Sequence, residues 1–230
     1  MAHLVWDWNG TLLDDLELVV AATNASLATV GGPIVTADEH RRDFRRPVQA
    51  YYAGVLARAL EPNEFAVLDR AFHDAYNAGL PAVRLSSGAL DALQTWPGTQ
   101  SLLSMWFHDQ LMPTVARREL ARYFVRVDGL RAQLGGGHKA PHLAAHLDAI
   151  GVDGHDCVLI GDSVDDADAA ESVGAACVLY AGGFTDRSRL LDVGVPVVDH
   201  LSDAVRLAAC YAADDAEPDA ETVRTSPAGT

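Results

Sequence analysis

The chain has 230 residues, of which 49% are hydrophobic and 21% are charged, a composition typical of a soluble globular protein. This length suits one α/β domain with a sizeable insertion, or two small domains that share a cleft. The formal net charge of −15 argues against a nucleic acid or an anionic membrane surface as a partner, because both require a basic face.

Cysteine usage and hydropathy bear on the compartment. Cys157, Cys177 and Cys210 lie in apolar stretches without metal-ligand spacing, so we expect reduced core residues. No apolar run reaches membrane-spanning length, and the first residues carry no basic and then apolar leader. A cytoplasmic protein is therefore expected.

The first element is a short apolar run, His3–Trp6, whose residues favour a buried strand. Asp7 follows it directly, and Gly10 allows the backbone to reverse just beyond. A carboxylate at the carboxyl end of a parallel strand lies where open α/β sheets bind ligands. We therefore expect Asp7 to carry chemistry, with Thr11 and the amides around Gly10 donating to a bound anion. The alternative is that Asp7 and Asn9 only cap a turn.

Helical spacing then dominates a long segment. Helices are predicted over residues 16–29, 37–44, 48–60 and 63–78. No stretch there alternates as a strand does, and Gly79, Pro81 and Ser86-Ser87-Gly88 mark the return of the chain. Residues 15–81 therefore read as a helical insertion after the first strand.

A predicted helix over 89–95 leads into an apolar strand over 100–103 that ends on Ser104. Taken by itself, Ser104 is a favoured helix-cap residue. A helix over 113–123 and a third strand over 124–127 follow.

The run Gly135-Gly136-Gly137-His138-Lys139 does not match the P-loop, because the first Gly of that motif and the Ser or Thr after its Lys are missing. We expect a flexible loop that brings Lys139 to the start of a helix over 141–150. A lone Lys would ordinarily lie on the surface.

An apolar strand over 157–160 runs into a cluster of acids. Four carboxylates fall within seven residues, at Asp162, Asp165, Asp166 and Asp168. They would repel one another unless a cation lay among them, and a helix N-terminus accounts for only one or two of them. A strand over 176–180, a helix over 186–193, an edge strand over 195–198 and a helix over 203–211 are predicted to follow. Residues 212–230 are predicted to form an acidic disordered tail.

These stretches, in this order, resemble the four motifs of the haloacid dehalogenase superfamily. Asp7-Trp8-Asn9-Gly10-Thr11 resembles its first motif, Asp-x-Asp-x-Thr, and Ser104 and Lys139 match its second and third. Gly161-Asp162-Ser163-Val164-Asp165-Asp166 resembles the fourth, Gly-Asp-x-x-x-Asp. The insertion lies where the phosphoglycolate phosphatase-like branch carries a small helical cap.

The resemblance covers nearly the whole chain up to about residue 211. It implies a Rossmann-like parallel sheet with helices on both faces, formed by residues 1–14 and 82–211, and an α-helical cap domain over 15–81.

It also implies a Mg²⁺-dependent phosphatase for a small phosphorylated substrate. Asp7 would attack the phosphorus and form an aspartyl-phosphate, which water then hydrolyses. Mg²⁺ would be bound by Asp7, the backbone carbonyl of Asn9 and Asp162, with Asp166 in support.

The transferring oxygens would be held by four groups in this family. These are the Ser104 hydroxyl, the Met105 amide, the Lys139 ammonium and the amides near Gly10. No nucleic acid or membrane partner is expected, and the sequence does not indicate an oligomeric state.

Asn9 departs from the family pattern. The phosphatases carry Asp there, which protonates the leaving alcohol and later takes a proton from water. General acid–base help contributes roughly 10²- to 10⁴-fold. The favoured interpretation is a phosphatase whose substrate has a good leaving group, such as an acyl or aryl phosphate, or one that borrows an acid, with His108 as the candidate.

Three other interpretations remain open. One is a slow phosphatase, or one that passes the phosphoryl group to an acceptor other than water. Another is a binding or regulatory protein that holds a phosphorylated ligand. The third is a haloacid dehalogenase, against which the acidic run over 162–168 counts, because that chemistry needs no metal.

Substrate selection is expected in the cap. Arg45 and Arg46 interrupt two helical stretches and suit a carboxylate or second phosphate, although a solvated basic face is the alternative. Tyr51 and Tyr52 are candidate pocket residues or core residues. Trp8 and Trp106 flank the expected site and are candidates for stacking on an aromatic substrate.

Overall fold

The computed structural model describes residues 2–132 and 134–214, with the backbone alone for residues 212–214. Its strands are β1 (His3–Trp6), β2 (Leu13–Asp14), β3 (Arg84–Leu85), β4 (Gln100–Phe107), β5 (Val127–Leu130), β6 (Cys157–Gly161), β7 (Ala176–Tyr180) and β8 (Val197–Val198). Its helices are α1 (Leu16–Ala28), α2 (Ala37–Asp43), α3 (Val48–Val55), α4 (Glu64–Gly79), α5 (Ala89–Thr95), α6 (His108–Arg117), α7 (Ala140–Ile150), α8 (Val164–Val173), α9 (Arg187–Leu191) and α10 (Leu201–Asp214).

Six strands form one parallel sheet in the order β5-β4-β1-β6-β7-β8. Every residue of β1 is buried, because helices cover both faces of the sheet. Leu4 and Trp6 pack toward the cluster that includes α5, α6 and α10, whereas Val5 packs toward α7, α8 and α9. The expected α/β fold with a parallel sheet is confirmed.

The insertion consists of α1 to α4, and α1 packs along α4. It has a small core of its own, formed by Leu27, Val35, Tyr52 and Leu68. The chain leaves the sheet domain through β2 and returns through β3, and these two strands pair antiparallel. The sequence does not predict this pair, because two-residue strands carry no periodic signal.

Three element bounds are corrected by the structure. The third strand of the main sheet lies at Val127–Leu130 rather than 124–127, because a 3₁₀ turn precedes it and leaves Val125 61% exposed. The strand that carries Ser104 continues to Phe107, so Ser104 lies within it. The helix α6 begins at His108, with Pro113 inside it rather than at its start.

At the carboxyl end, α10 runs to Asp214, beyond the predicted start of the tail at residue 212; residues 215–230 lie outside the described part of the chain. Cys157 and Cys177 are buried as expected, but Cys210 is exposed on the outer face of α10. Among the described helices, none has both the length and the apolar character needed to cross a lipid bilayer.

Candidate active site

The two central strands deliver two acids to one edge of the sheet. Trp6 lies opposite Ile160 in the pairing of β1 with β6. Asp7 follows Trp6 directly, and Asp162 follows Ile160 after one intervening glycine. The backbone N–H of Asp7 donates to the Ile160 carbonyl at 2.8 Å, which continues the ladder to the acid itself. Both carboxylates are therefore buried at the carboxyl ends of adjacent parallel strands.

A capping box at the start of α8 fixes Asp166. The Asp166 N–H donates to the Ser163 hydroxyl, and the Asp166 carboxylate accepts from the Ser163 N–H at 3.0 Å and from its hydroxyl at 2.6 Å. The same carboxylate accepts from the Asp162 N–H at 3.2 Å. This reciprocal bonding turns Asp166 back toward the end of β6.

Lys139, the only lysine of the chain, brings a buried positive charge to these acids. Its Nζ lies 2.6 Å from Asp7 Oδ1 and also contacts the Asp166 carboxylate. Its backbone N–H donates to Asp165 Oδ2 at 2.9 Å, and His138 Nδ1 lies 2.8 Å from the other oxygen of Asp165. Asp165 therefore anchors the glycine-rich loop and sets the position of the Lys139 ammonium.

Burial and neighbouring charges shift the pKa values of these carboxyl groups in different directions. Burial raises the pKa of Asp7 to about 6, with Lys139 acting in the opposite direction. Burial, together with the charges of Asp7 and Asp166, raises the pKa of Asp162 well above its usual range. Burial also acts to raise the pKa of Asp166, but Lys139 and Ser163 outweigh it and lower that pKa. Three buried carboxylates thus face one ammonium, and the site carries excess negative charge.

The donor set fits a magnesium ion. Carboxylate oxygens of Asp7, Asp162 and Asp166 lie within 4.8 Å of one another. Two glycines let the backbone close on Asp162, because a Cβ at Gly10 or Gly183 would lie 2.4 or 2.2 Å from Asp162 Oδ2. Oxygen ligands with excess negative charge are what Mg²⁺ prefers.

Two donors expected to face a bound anion are already used within the protein. The Gly10 N–H donates to Asp15 Oδ1 at 2.8 Å and to the Leu13 carbonyl at 3.1 Å. The Thr11 hydroxyl donates to Asp162 Oδ1 at 2.9 Å. Both groups therefore shape the loop and orient Asp162 in this structure, rather than presenting free donors to the cavity.

The side chain of Asn9 is held from three sides. Its Nδ2 donates to Asp15 Oδ2 and to the Tyr76 hydroxyl, each at 2.7 Å, and its Oδ1 accepts from the Ser104 hydroxyl at 3.2 Å. The Tyr76 hydroxyl in turn donates to Asp15 Oδ2 at 2.6 Å. Burial raises the pKa of Asp15 to about 6, against the effect of these hydrogen bonds.

Asp15 and Tyr76 were not predicted as site residues. Asp15 is one of a pair of acids after the first motif, and this is the only local signal. Tyr76 lies on α4 of the cap, and no local pattern connects it with Asn9.

Two cavities adjoin at this edge of the sheet. The smaller, the catalytic cavity, has a volume of about 380 Å³ and is lined by Asp7, Lys139, Asp162, Ser163 and Asp165. The larger, the cap cavity, has a volume of about 730 Å³ and lies between the cap and the sheet domain. Both are bordered by Asn9, Phe44, Arg46, Met105 and Phe184.

The two predicted arginines have different surroundings. Arg46 borders both cavities, donates from Nη1 to the Gly137 carbonyl at 2.9 Å and has its Nε 3.4 Å from Asp165. Arg45 lines neither cavity and donates to backbone carbonyls of the cap itself.

The four aromatic candidates also differ in their surroundings. Tyr51, Tyr52 and Trp106 line the cap cavity, whereas Trp8 is fully buried in the core and lines neither cavity. The expectation that Trp8 stacks on a substrate is therefore wrong.

His108, the candidate substitute acid, does not border the site. Its Nε2 lies 2.8 Å from Arg131 Nη2, and its Nδ1 accepts from the Gly129 N–H at 3.2 Å. It lines neither cavity, so the structure argues against it as the acid that replaces Asp at position 9.

Comparison with known proteins agrees with this geometry. A family model described as HAD-hydrolase-like matches residues 136–204. The phosphoglycolate phosphatase of Mesorhizobium japonicum is 27% identical over 195 residues, covering 80% of this chain and 84% of the relative. The phosphoglycolate phosphatase of Synechococcus elongatus is 29% identical, covering 83% of this chain and 89% of the relative. The chain is therefore similar to haloacid dehalogenase-like hydrolases, both in the matched segment and along most of its length.

Solved structures of that superfamily share the fold. A predicted phosphatase from Clostridium acetobutylicum superposes with a TM-score of 0.79 at 16% identity, over 90% of this chain and 97% of that one. A haloacid dehalogenase-like hydrolase from Streptococcus pneumoniae gives a TM-score of 0.78 at 17% identity, over 90% and 98% of the two chains. At these identities the structural likeness shows a shared fold.

Proposed function

We propose that this hydrolase is a Mg²⁺-dependent phosphatase that acts on a small phosphate monoester through an aspartyl-phosphate on Asp7. The observation that carries the proposal is the 2.6 Å contact of Lys139 Nζ with Asp7 Oδ1, in a cavity that also contains Asp162. With a pKa of about 6, Asp7 is ionised at neutral pH, as a nucleophile must be.

The reaction would proceed in two steps. An Asp7 oxygen bonds to the phosphorus while the bond to the ester oxygen breaks, and the electron pair leaves with that oxygen. Water then attacks the phosphorus, which releases Asp7 and inorganic phosphate. Lys139 and the Met105 amide would hold the phosphoryl oxygens in both steps, and the Ser104 hydroxyl would join them only by releasing Asn9 Oδ1.

The residues that would hold the metal ion are Asp7, Asp162 and the backbone carbonyl of Asn9, with Asp166 in support. When bound, Mg²⁺ neutralises charge on the phosphoryl oxygens. The chain itself keeps the acids in place through the Ser163 cap and the Thr11 hydroxyl.

Asn9 sets the proton chemistry. Both hydrogens of its amide are used by Asp15 and Tyr76, and an amide does not titrate in this range. Its Oδ1 accepts from Ser104 and has a second lone pair that can accept from the attacking water. The leaving group must therefore depart without a proton from position 9, which favours acyl and aryl phosphates.

The sequence relatives are named phosphoglycolate phosphatases, which makes phosphoglycolate a candidate substrate. Its leaving group is an alkoxide, the kind that most needs a general acid. The cytoplasmic location expected from the sequence is kept as part of the proposal.

The test is phosphate release from phosphoglycolate, a sugar phosphate, 4-nitrophenyl phosphate and acetyl phosphate, with and without Mg²⁺. Wild type should turn over at least one of them only with Mg²⁺, and Asp7→Asn should abolish release. The matched control is Asp168→Asn, because Asp168 belongs to the same acidic run but is exposed. No release by wild type from any of these would instead support a ligand-binding role.

A further inference from the structure

The cap cavity has an aromatic wall. Its lining includes Phe44, Tyr51, Phe72, Tyr76, Trp106 and Phe184, contributed by the cap, by β4 and by the loop after β7. Its volume is about 730 Å³ when the part open to solvent is included. Ring pairs such as Phe72 on Tyr76, with centroids 5.8 Å apart, form flat surfaces within this wall.

The cap cavity offers little to an anionic group. Of the residues that line it, only Arg46 and Asp69 carry a formal charge besides the two histidines. Arg46 is already engaged by the Gly137 carbonyl and Asp165, and Asp69 would repel a carboxylate. Burial lowers the pKa of His40 to about 4, so this imidazole is neutral at pH 7. A second acidic group on the substrate would therefore lack a counter-charge here.

Polar atoms on this wall are nevertheless unpaired. Among the described residues, His40 Nε2, His73 Nδ1 and Trp106 Nε1 are buried and have no hydrogen-bond partner. All three side chains line the cap cavity. A buried N–H without a partner is costly, so these atoms favour an occupant with a few polar substituents on an apolar frame.

The two cavities share lining residues beside the proposed nucleophile. Asn9, Met105 and Phe184 border both, so a phosphoryl group beside Asp7 would place the rest of its ester in the cap cavity. Because Asn9 supplies no proton, the group in the cap cavity must leave as an anion.

We propose that the substrate is an aryl phosphate, whose ring occupies the cap cavity and leaves as a phenolate. This inference rests on the proposed phosphatase function. In the first step the bond from Asp7 to phosphorus forms, the bond from phosphorus to the aryl oxygen breaks, and the phenolate takes its proton from solvent. A phenol ionises with a pKa of about 10, as Tyr does, far below that of an alkyl alcohol, so its departure needs no general acid.

The test separates ring binding from leaving-group quality with three substrates. 2-Naphthyl phosphate carries a ring, acetyl phosphate has a good leaving group without a ring, and phosphoglycolate has neither. Wild type should show a KM for 2-naphthyl phosphate at least about tenfold below that for acetyl phosphate, because ring burial adds binding energy. 2-Naphthol should compete with the substrate, whereas glycolate at the same concentration should not.

A pair of variants on helix α4 tests whether the aryl ring binds in the cap cavity. Phe72→Ala removes a ring of the cavity wall, and we expect the ratio of kcat/KM for 2-naphthyl phosphate over acetyl phosphate to fall about tenfold. Phe65→Ala, on the same helix but packed in the small cap core, should leave that ratio unchanged. Thermal unfolding of both variants checks that they fold.

The outcomes are distinguishable. If acetyl phosphate or phosphoglycolate is turned over as efficiently as the aryl ester, and 2-naphthol does not compete, the aryl proposal is overturned while the phosphatase function stands. If none of the three substrates releases phosphate with Mg²⁺, the phosphatase function fails and the aryl proposal fails with it.

Discussion

The catalytic cavity and the cap cavity adjoin, yet charged groups dominate the first and aromatic rings the second. The catalytic cavity places three buried carboxylates around one ammonium, each charge fixed by a strand end or a helix cap. The cap cavity has nearly twice the volume and is walled by rings from several elements. Under the proposed function, one cavity would hold the phosphoryl group that every phosphate ester shares, and the other would hold the part that differs between esters.

The difference has a physical basis. A buried charge is tolerated only with its partners in place, so a small displacement in the catalytic cavity is expensive. Apolar contacts are not directional, so an aromatic wall tolerates many arrangements of similar volume. Substitutions should therefore abolish function in the first cavity and change selectivity in the second.

Removing the single ammonium should have the largest effect. In Lys139→Met the carboxylates of Asp7 and Asp166 lose the ammonium that contacts them, and we expect kcat/KM to fall by at least about 10³-fold. Without Mg²⁺, stability at pH 7 should fall by about 3–5 kcal/mol, as for a broken buried ion pair. Phosphate release and chemical denaturation, each with and without Mg²⁺, measure the two effects.

The control for that variant is Arg131→Met, which removes a cation that is 59% exposed in its side chain. Its activity and stability should stay close to those of wild type. A Lys139→Met protein with wild-type turnover would contradict the assignment of Lys139 to the phosphoryl oxygens.

The second prediction concerns Asn9 and Asp15. Asn9→Asp would put a carboxylate oxygen where Nδ2 now lies, 2.7 Å from Asp15 Oδ2, and two carboxylates so close hold a proton between them. We therefore expect no gain in kcat from the single change. The exchange Asn9→Asp with Asp15→Asn keeps an amide–carboxylate pair and should raise kcat for an alkyl phosphate by about 10²-fold.

Asn9→Asp combined with Asp14→Asn is the matched control, because Asp14 is the neighbouring but exposed acid. This control should behave like the single change. A gain in kcat from Asn9→Asp alone would show that Asp15 does not decide which residue is tolerated at position 9.

The sheet and the acids of the catalytic cavity follow from local sequence. The strands β1 and β7 and the helix α5 lie at their predicted bounds, because fully buried parallel strands read as short apolar runs and α5 has helical spacing. Asp7 directly follows such a run, and Asp162 follows another after one glycine, so topology alone brings the two acids together at one edge of the sheet. The sequence also places Lys139 at a helix start, where the structure has it.

The features that escaped prediction depend on contacts between distant parts of the chain. Asp15 and Tyr76 meet across the junction of cap and sheet domain, and neither has a local pattern that indicates the other. Trp8 and Trp106 look equivalent in sequence, but only the packing shows that one is core and the other cavity wall. The cap cavity is likewise a property of how four helices sit on the sheet, which hydrophobic spacing does not specify.

A third prediction concerns the pH dependence of stability that His40, in the wall of the cap cavity, should produce. Burial lowers the pKa of His40 to about 4, against about 6.5 in an unfolded chain. The unfolded state therefore binds a proton that the folded state excludes, and stability falls as pH drops from 6.5 toward 4. At pH 5 this group should account for a loss on the order of 2 kcal/mol, relative to pH 7.

Chemical denaturation at pH 7 and pH 5 measures this loss. In His40→Leu the difference between the two pH values should shrink by that amount, whereas in the exposed His155→Gln it should stay as in wild type. An unchanged pH dependence in His40→Leu would mean that folding leaves the pKa of His40 unshifted.

The smallest effect is expected at the junction of the two cavities. Tyr76→Phe removes the hydroxyl that donates to Asp15 and accepts from Asn9, and should cost about 1–2 kcal/mol of stability. The amide of Asn9 would keep its bond to Asp15, so kcat should fall only a few-fold, with KM for an aryl phosphate nearly unchanged. Tyr123→Phe, which removes a hydroxyl bonded to Gln94 near the surface, should stay within about 0.5 kcal/mol of wild type. A drop in kcat as large as that of Lys139→Met would instead mean that the Tyr76 hydroxyl takes part in proton transfer, and that the cap supplies chemistry as well as selectivity.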